Sequence, residues 1–216
     1  MQIKSKQRVS DHGEVFTSAR EVNAMLDLVT HETERIESRF LEPACGTGNF
    51  LIEVLRRKLK VVERRYKKSK IEYERYAVLA VSSIYGVDIL EDNVIHCRER
   101  LYHSFDQTYS FLFGEECSQE CRNSVKYILS RNILWGDALT MKTVCGKDDP
   151  IIFSEWSAVN GNMIKRRDYS FARLLAAQPI DGPNLFSDLG ENAFIPKPER
   201  EFPIAHFLKL DLDASN

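Results

Sequence analysis

The sequence predicts an α/β fold, with a mostly parallel sheet and helices on both faces. Three observations carry that prediction. Short apolar runs alternate with longer helical patterns, the first run breaks into a glycine-rich turn that opens a helix, and three of the runs end in an acidic residue. Parallel strands need a crossover between them, a helix supplies it, and such crossovers are right-handed.

The first ten or so residues are polar and basic. Thr17 and Ser18 then precede Val22, Met25, Leu26 and Val29, which share one face at helical spacing, so a helix is expected over about 18–31. Arg39, Phe40 and Leu41 read as a first strand, cut off by residues 42–50, EPACGTGNF. The helix after it carries Leu51, Ile52, Val54, Leu55 and Leu59. Residues 62–76 mix charges of both signs, the composition of a solvated helix rather than of a DNA-binding surface. Residues 83–89, SIYGVDI, read as a buried strand with a carboxylate at its end, and 91–101 as a helix. An irregular polar excursion is expected over 102–121, a helix over 123–129, and a third strand over 132–137, NILWGD. Pro150, Ile151, Ile152 and Phe153 supply a fourth strand. Beyond Pro179 prolines, glycines and charges replace the pattern. The expected organisation is one domain over 1–178 and an extended C-terminal tail over 179–216.

A chain of 216 residues buries one sizeable core with at most a small appendage. Its formal net charge of -2 excludes a surface that is basic throughout, so any DNA contact must be local or lent by a partner. Five scattered cysteines, without a signal peptide or a long apolar run, fit a reduced cytoplasmic protein with no disulfide and no membrane segment. Cys117 and Cys121 have no second pair at ligand spacing, so no metal is expected.

Ligands of such a sheet bind outside the carboxyl ends of the strands, where Glu42, Asp88 and Asp137 stand. Gly46 and Gly48 permit positive backbone angles and a close approach of the main chain to a ligand. A dinucleotide fingerprint would need a third glycine at Leu51 and an acidic residue about twenty positions on, which disfavours a nicotinamide cofactor. The Asp88 carboxylate suits a ribose diol, and Asp137 suits an exocyclic amino group. Each aspartate could instead cap the helix that follows it.

Residues 11–17, DHGEVFT, followed by a helix, resemble the N-terminal motif of adenine-N6 DNA methyltransferases, and residues 41–50, LEPACGTGNF, resemble their methionine-binding loop. The strands ending in YGVDI and LWGDAL are similar to the family's ribose and adenine contacts. Four motifs thus stand in order over residues 11–139, closest to the methylation subunits of restriction-modification systems. The resemblance implies a Rossmann-like class I methyltransferase fold and S-adenosylmethionine as cofactor. Phe16 and Thr17 would lie against it; Glu42, Ala44, Cys45, Gly46 and Gly48 would hold its methionine end; Asp88 with Ile89 would meet the ribose, and Asp137 with Ala138 the adenine. Implied partners are DNA and a target-recognition subunit or region, with homo- and hetero-oligomers both open.

The family's catalytic motif, an Asn, Asp or Ser followed by two prolines and an aromatic, belongs at the tip of the fourth strand. No double proline occurs in the chain. Ser154, Glu155 and Trp156 are what that position offers; the hydroxyl and the aromatic could imitate part of the motif, which otherwise holds a flipped base. Asp149 with Pro150 precedes the apolar run instead of following it. Trp156 beside an apolar strand also has a core to pack into. Lys165, Arg166 and Arg167 are candidate DNA contacts, or else a solvated loop. Two functions stand against each other: an adenine-N6 DNA methyltransferase core or subunit, and a catalytically inactive S-adenosylmethionine-binding regulatory or scaffold subunit. Methyl transfer to RNA, protein or a small molecule is a third, because the cofactor half of such a fold does not fix the acceptor.

Overall fold

The computed structural model describes Arg8 and residues 17–144, 148–176 and 197–212. Helix α1, Ala19–Asp27, opens on a capping box: Ser18 Oγ accepts from the Glu21 amide, and the Glu21 carboxylate accepts from the Ser18 amide. It stops short of the expected end. Val29 leaves the helical region, the Thr30 hydroxyl donates to the Asp27 carbonyl, and a single turn, α2, Thr30–Thr33, follows.

A four-stranded sheet forms the centre, in the order β1 (Phe40–Glu42), β2 (Ile84–Asp88), β3 (Ile133–Asp137) and β4 (Lys142–Thr143). The first three strands run parallel and β4 is antiparallel to β3, so the fold is α/β with a mixed sheet. Helices α3 (Asn49–Tyr66) and α4 (Lys70–Ser82) join β1 to β2; α5 (Glu91–Phe113) and α6 (Gln119–Asn132) join β2 to β3. Alternation along β2 separates two cores. Gly86 turns toward α3, where an added Cβ would meet Leu51 Cδ1 at 2.9 Å. Tyr85 and Val87 instead pack with Ile151, Phe153 and Phe171.

Residues 102–121 are not an irregular excursion. Helix α5 continues to Phe113 because Leu101, Phe105 and Tyr109 recur every fourth residue and are fully buried. The charged stretch 62–76 divides at Lys67 into α3 and α4, and α4 buries Tyr73 and Ala77 to Val81. Lys58, inside α3, is fully buried as well. Its ammonium donates to the carbonyls of Arg35, Ile36 and Ser38 and to Ser83 Oγ, which ties the entries of β1 and β2 to the helix. Burial lowers its pKa to about 7.

The expected fourth parallel strand is also corrected. Strand β5, Ile152–Ala158, joins no parallel neighbour among the described residues; it pairs antiparallel with β6, Met163–Ser170. Strand β7, Arg200–His206, completes this second sheet, so part of the segment expected as a tail is paired. A short helix α7, Phe171–Ala176, follows β6. The second sheet docks on α6 through buried polar contacts. Trp156 Nε1 donates to Asn132 Oδ1 at 3.0 Å, and Arg166 bonds the Tyr127 hydroxyl. Among the described residues no helix is long and apolar enough to cross a membrane.

Candidate functional site

At Glu42 the chain leaves β1 and enters a turn. The Cys45 amide donates to the Val87 carbonyl at 2.9 Å, extending the parallel pairing, and the Gly48 amide donates to the Cys45 carbonyl at 2.8 Å. Gly46 (φ 51°) and Gly48 (φ 84°) both take the left-handed region. Gly48 is doubly constrained, because a Cβ there would also lie 2.6 Å from Cys97 Sγ on α5. The Cys45 and Cys97 thiols touch beneath the loop; their mutual hydrogen bond, and then burial, push Cys45 far up, so it is an inert packing group.

Asp88 ends β2 and gathers three donors. Its Oδ2 accepts from the Gly46 amide at 2.8 Å, and its Oδ1 accepts from the Leu90 amide at 2.9 Å and from Asn93 Nδ2 at 3.2 Å. The carboxylate therefore fixes the glycine loop and starts α5, with little acceptor capacity left for a ribose. Arg100 of α5 clamps the loop from outside, donating to the Thr47 carbonyl, the Thr47 hydroxyl and Asn49 Oδ1. Asn49 Nδ2 in turn donates to the Thr17 carbonyl at 3.1 Å, which brings the N-terminal segment to the loop. Phe16 lies outside the described residues.

Glu42 is the anomaly of the site. One of its carboxylate oxygens is buried without a hydrogen-bond partner among the described residues. Burial first, and the charge of Asp88 second, push its pKa up to about 8. A buried oxygen left this way is a request for a donor. Ala44, on the rim of the same turn, is exposed.

Asp137 stands differently from Asp88. It is half-buried at the end of β3, where Oδ1 accepts from the Leu139 amide at 2.9 Å and Oδ2 from the Thr140 hydroxyl at 3.0 Å. That turn, led by the Leu139 amide, lowers its pKa. Trp135 Nε1 donates to the Ile89 carbonyl at 3.0 Å and binds the two strand ends together; the Ile89 side chain is exposed, while Ala138 packs in the smaller apolar cluster.

The residues offered for catalysis are not brought to this end. Glu155 pairs with Arg39, the residue before β1, at 2.6 Å. Glu155 and Trp156 line a cavity of about 240 Å³ with Arg39, Ser82 and Ser83, at the amino ends of β1 and β2. Ser154 is fully buried, with its hydroxyl on Asp168 Oδ1 at 2.7 Å. Antiparallel pairing of β5 with β6, instead of parallel pairing within the central sheet, turns this tip away from Glu42 and Asp88.

Of the three consecutive cations, Arg166 is corrected outright: it is buried against Asp168, donating to Oδ1 at 2.9 Å and Oδ2 at 2.8 Å, and stacks on Phe202 at 3.9 Å. It has no fork left for a phosphate. Lys165 and Arg167 alternate to the other face, where Lys165 meets Glu201 at 3.0 Å and Arg167 meets Glu155 at 3.4 Å. Among the described residues Cys45, Cys97, Cys117 and Cys121 carry free thiols, and no cluster of histidine, cysteine and acidic side chains could hold a metal ion.

Sequence reasoning missed Asn93, Cys97 and Arg100, which shape the loop from α5. The only trace of them in the sequence is helical spacing after a strand-end aspartate, with Asn93, Cys97 and Arg100 falling four and three apart. Compared with known proteins, the chain matches no family model, no curated protein and no solved structure.

Proposed function

We propose that the chain binds S-adenosylmethionine at the carboxyl ends of β1 and β2, as the cofactor-holding part of an adenine-N6 DNA methyltransferase or of a methylation subunit of a restriction-modification system. On this reading the α/β fold is a Rossmann-like class I methyltransferase fold, and DNA and a target-recognition subunit or region are its partners. The observation that carries the reading is the unpartnered buried oxygen of Glu42 beside a left-handed glycine loop. A carboxylate with no cation is matched by the ammonium of a methionine end, and the left-handed backbone of Gly46 and Gly48 makes the turn beside it.

The cofactor, when bound, supplies an electrophilic methyl on a sulfonium. The chain's own residues bind and orient it: Glu42 takes the amino group, Asp88 holds the loop in register, and Arg100 and Asn49 stiffen the rim. Asp137, with two internal donors, keeps lone pairs for an adenine amino group.

A second reading, a catalytically inactive S-adenosylmethionine-binding regulatory or scaffold subunit, is favoured by the position of Ser154, Glu155 and Trp156 at the opposite end of the sheet. Calorimetric titration of the full chain with S-adenosylmethionine, followed by labelled methyl transfer to unmethylated DNA, separates the two. Binding with transfer supports the enzyme and binding without transfer the silent subunit. No binding removes both.

A further inference from the structure

Two carboxylates face each other at the proposed cofactor site, and their surroundings are unequal. Asp88 accepts three hydrogen bonds, whereas Glu42 keeps a sealed oxygen with none among the described residues. Among the described residues, the one charged group that acts on Glu42 is negative, and the thiol beside it is neutral. From β2 comes Asp88, and from the loop the Cys45 thiol. The Arg100 guanidinium of α5 is taken by Thr47 and Asn49, and the Lys58 ammonium of α3 is turned to Ser38 and Ser83 at the amino end of the strands.

We infer that the Glu42 carboxyl carries a proton in the ligand-free protein and releases it when an amino-acid ammonium enters, so that ligand binding at this site is coupled to the loss of one proton. The inference rests on the cofactor reading and deepens it. The balance is simple: a neutral carboxylic acid and an ammonium ligand become a carboxylate–ammonium pair and one proton, which passes to the buffer. Only the O–H bond breaks.

The physical cause is desolvation. An ionised carboxylate in a buried place is unfavourable unless it is paired, and a group in that position takes up a proton instead. Burial and the Asp88 charge together bring Glu42 to about 8. An arriving ammonium reverses the sign of the nearby charge and drives ionisation. Apparent affinity then rises roughly tenfold per pH unit in the acid range and levels off at about pH 8, where an α-amino group begins to lose its own proton.

Calorimetry in two buffers of different protonation enthalpy, at about pH 7, where an α-amino group is still mostly charged, reads the coupling directly. The probes are S-adenosylmethionine and S-adenosylhomocysteine, the second of which keeps the amine and lacks the sulfonium charge. The expected result is a buffer-dependent enthalpy equivalent to nearly one proton for both probes, and none for Glu42→Gln, which keeps the shape of the neutral acid. Carbon-13 titration of the ligand-free chain should place the Glu42 carboxyl well above the ordinary carboxylate range. Binding with a buffer-independent enthalpy overturns the inference and leaves the cofactor reading standing, as does a Glu42 midpoint in the ordinary range. Failure of both probes to bind overturns the coupling and the cofactor reading together.

Discussion

Asp168 is a buried acid of the second sheet and Glu42 a half-buried acid of the first with one sealed oxygen, and the protein treats them in opposite ways. Asp168 on β6 receives a two-pronged guanidinium from Arg166, a hydroxyl from Ser154 and a longer contact from Arg131 at 3.5 Å. Glu42, at the end of β1, receives a second carboxylate as its neighbour and keeps one oxygen unpaired among the described residues. A buried charge with all its partners supplied from within is architecture; it holds β5, β6 and α6 in one arrangement. A sealed carboxyl oxygen without a partner among the described residues is a cost that the fold carries for something outside it.

The sharpest way to break this contrast is to remove the paired acid. Asp168→Ala leaves the Arg166 guanidinium buried and uncompensated, and the loss should be about 3–5 kcal/mol of unfolding free energy. Urea denaturation measures it. A loss close to zero would mean that Arg166 reaches water easily, and the second sheet would then be looser than its contacts indicate.

Next in size is Gly48→Ala, which tests the loop's geometry. It combines a left-handed backbone with a Cβ 2.6 Å from Cys97 Sγ, and should cost about 2–3 kcal/mol. Combining it with Cys97→Ala removes the collision and not the backbone strain, so a part of the loss, about 1–2 kcal/mol, should remain. A double variant as unstable as the single one would place the whole cost in the backbone.

Glu42 gives a pH-dependent effect with a distinctive sign. Its folded-state pKa, about 8, lies above the ordinary value of 4.5, so the stability it contributes is present below pH 4.5 and is lost as pH rises toward 8. The slope is at most about 1.4 kcal/mol per pH unit. Wild-type chain should therefore weaken between those limits relative to Glu42→Gln, which has no proton to lose there. Parallel pH curves for the two proteins would show that Glu42 is ionised throughout and has a partner after all.

How much of this was legible in the sequence depends on the range of the contacts. The passage from β1 through the glycine loop to α3, and the acid that ends β2, are written in punctuation: Gly46, Gly48 and Asp88 are read off without knowing what lies across from them. The charge state of Glu42 is not, because it depends first on burial and then on Asp88, forty-six residues away. Helix α5 was cut short because polar residues separate Leu101, Phe105 and Tyr109, although their four-residue spacing was available. The second sheet was missed for a related reason. Lys165, Arg166 and Arg167 look like one cationic cluster until strand alternation is applied; Ile164, Arg166, Asp168 and Ser170 then fall on the buried face, and the cluster dissolves into one internal ion pair and two outward residues. The antiparallel pairing of β5 did have a local signal, the Asn160-Gly161 turn that joins it to β6 with Gly161 in the left-handed region; its place at the amino ends of β1 and β2 had none, since that rests on distant contacts with Arg39 and with Asn132 of α6.

The smallest effect is the one that separates the two ends of the central sheet. Glu155 sits at the amino end with Arg39, whose side chain is 59% exposed, and with Arg167. Pairs with an exposed partner contribute little, so Glu155→Gln should lower stability by under about 1 kcal/mol. Because its contacts are with Arg39, Ser157 and Arg167, none of which touches the glycine loop, S-adenosylmethionine should bind the variant with unchanged affinity and unchanged proton release. Any methyl transfer the full chain shows should survive as well. If the variant kept its stability and lost transfer alone, Glu155 would be acting on the acceptor, and the acceptor would have to be sought at the amino end of the sheet rather than beside Glu42.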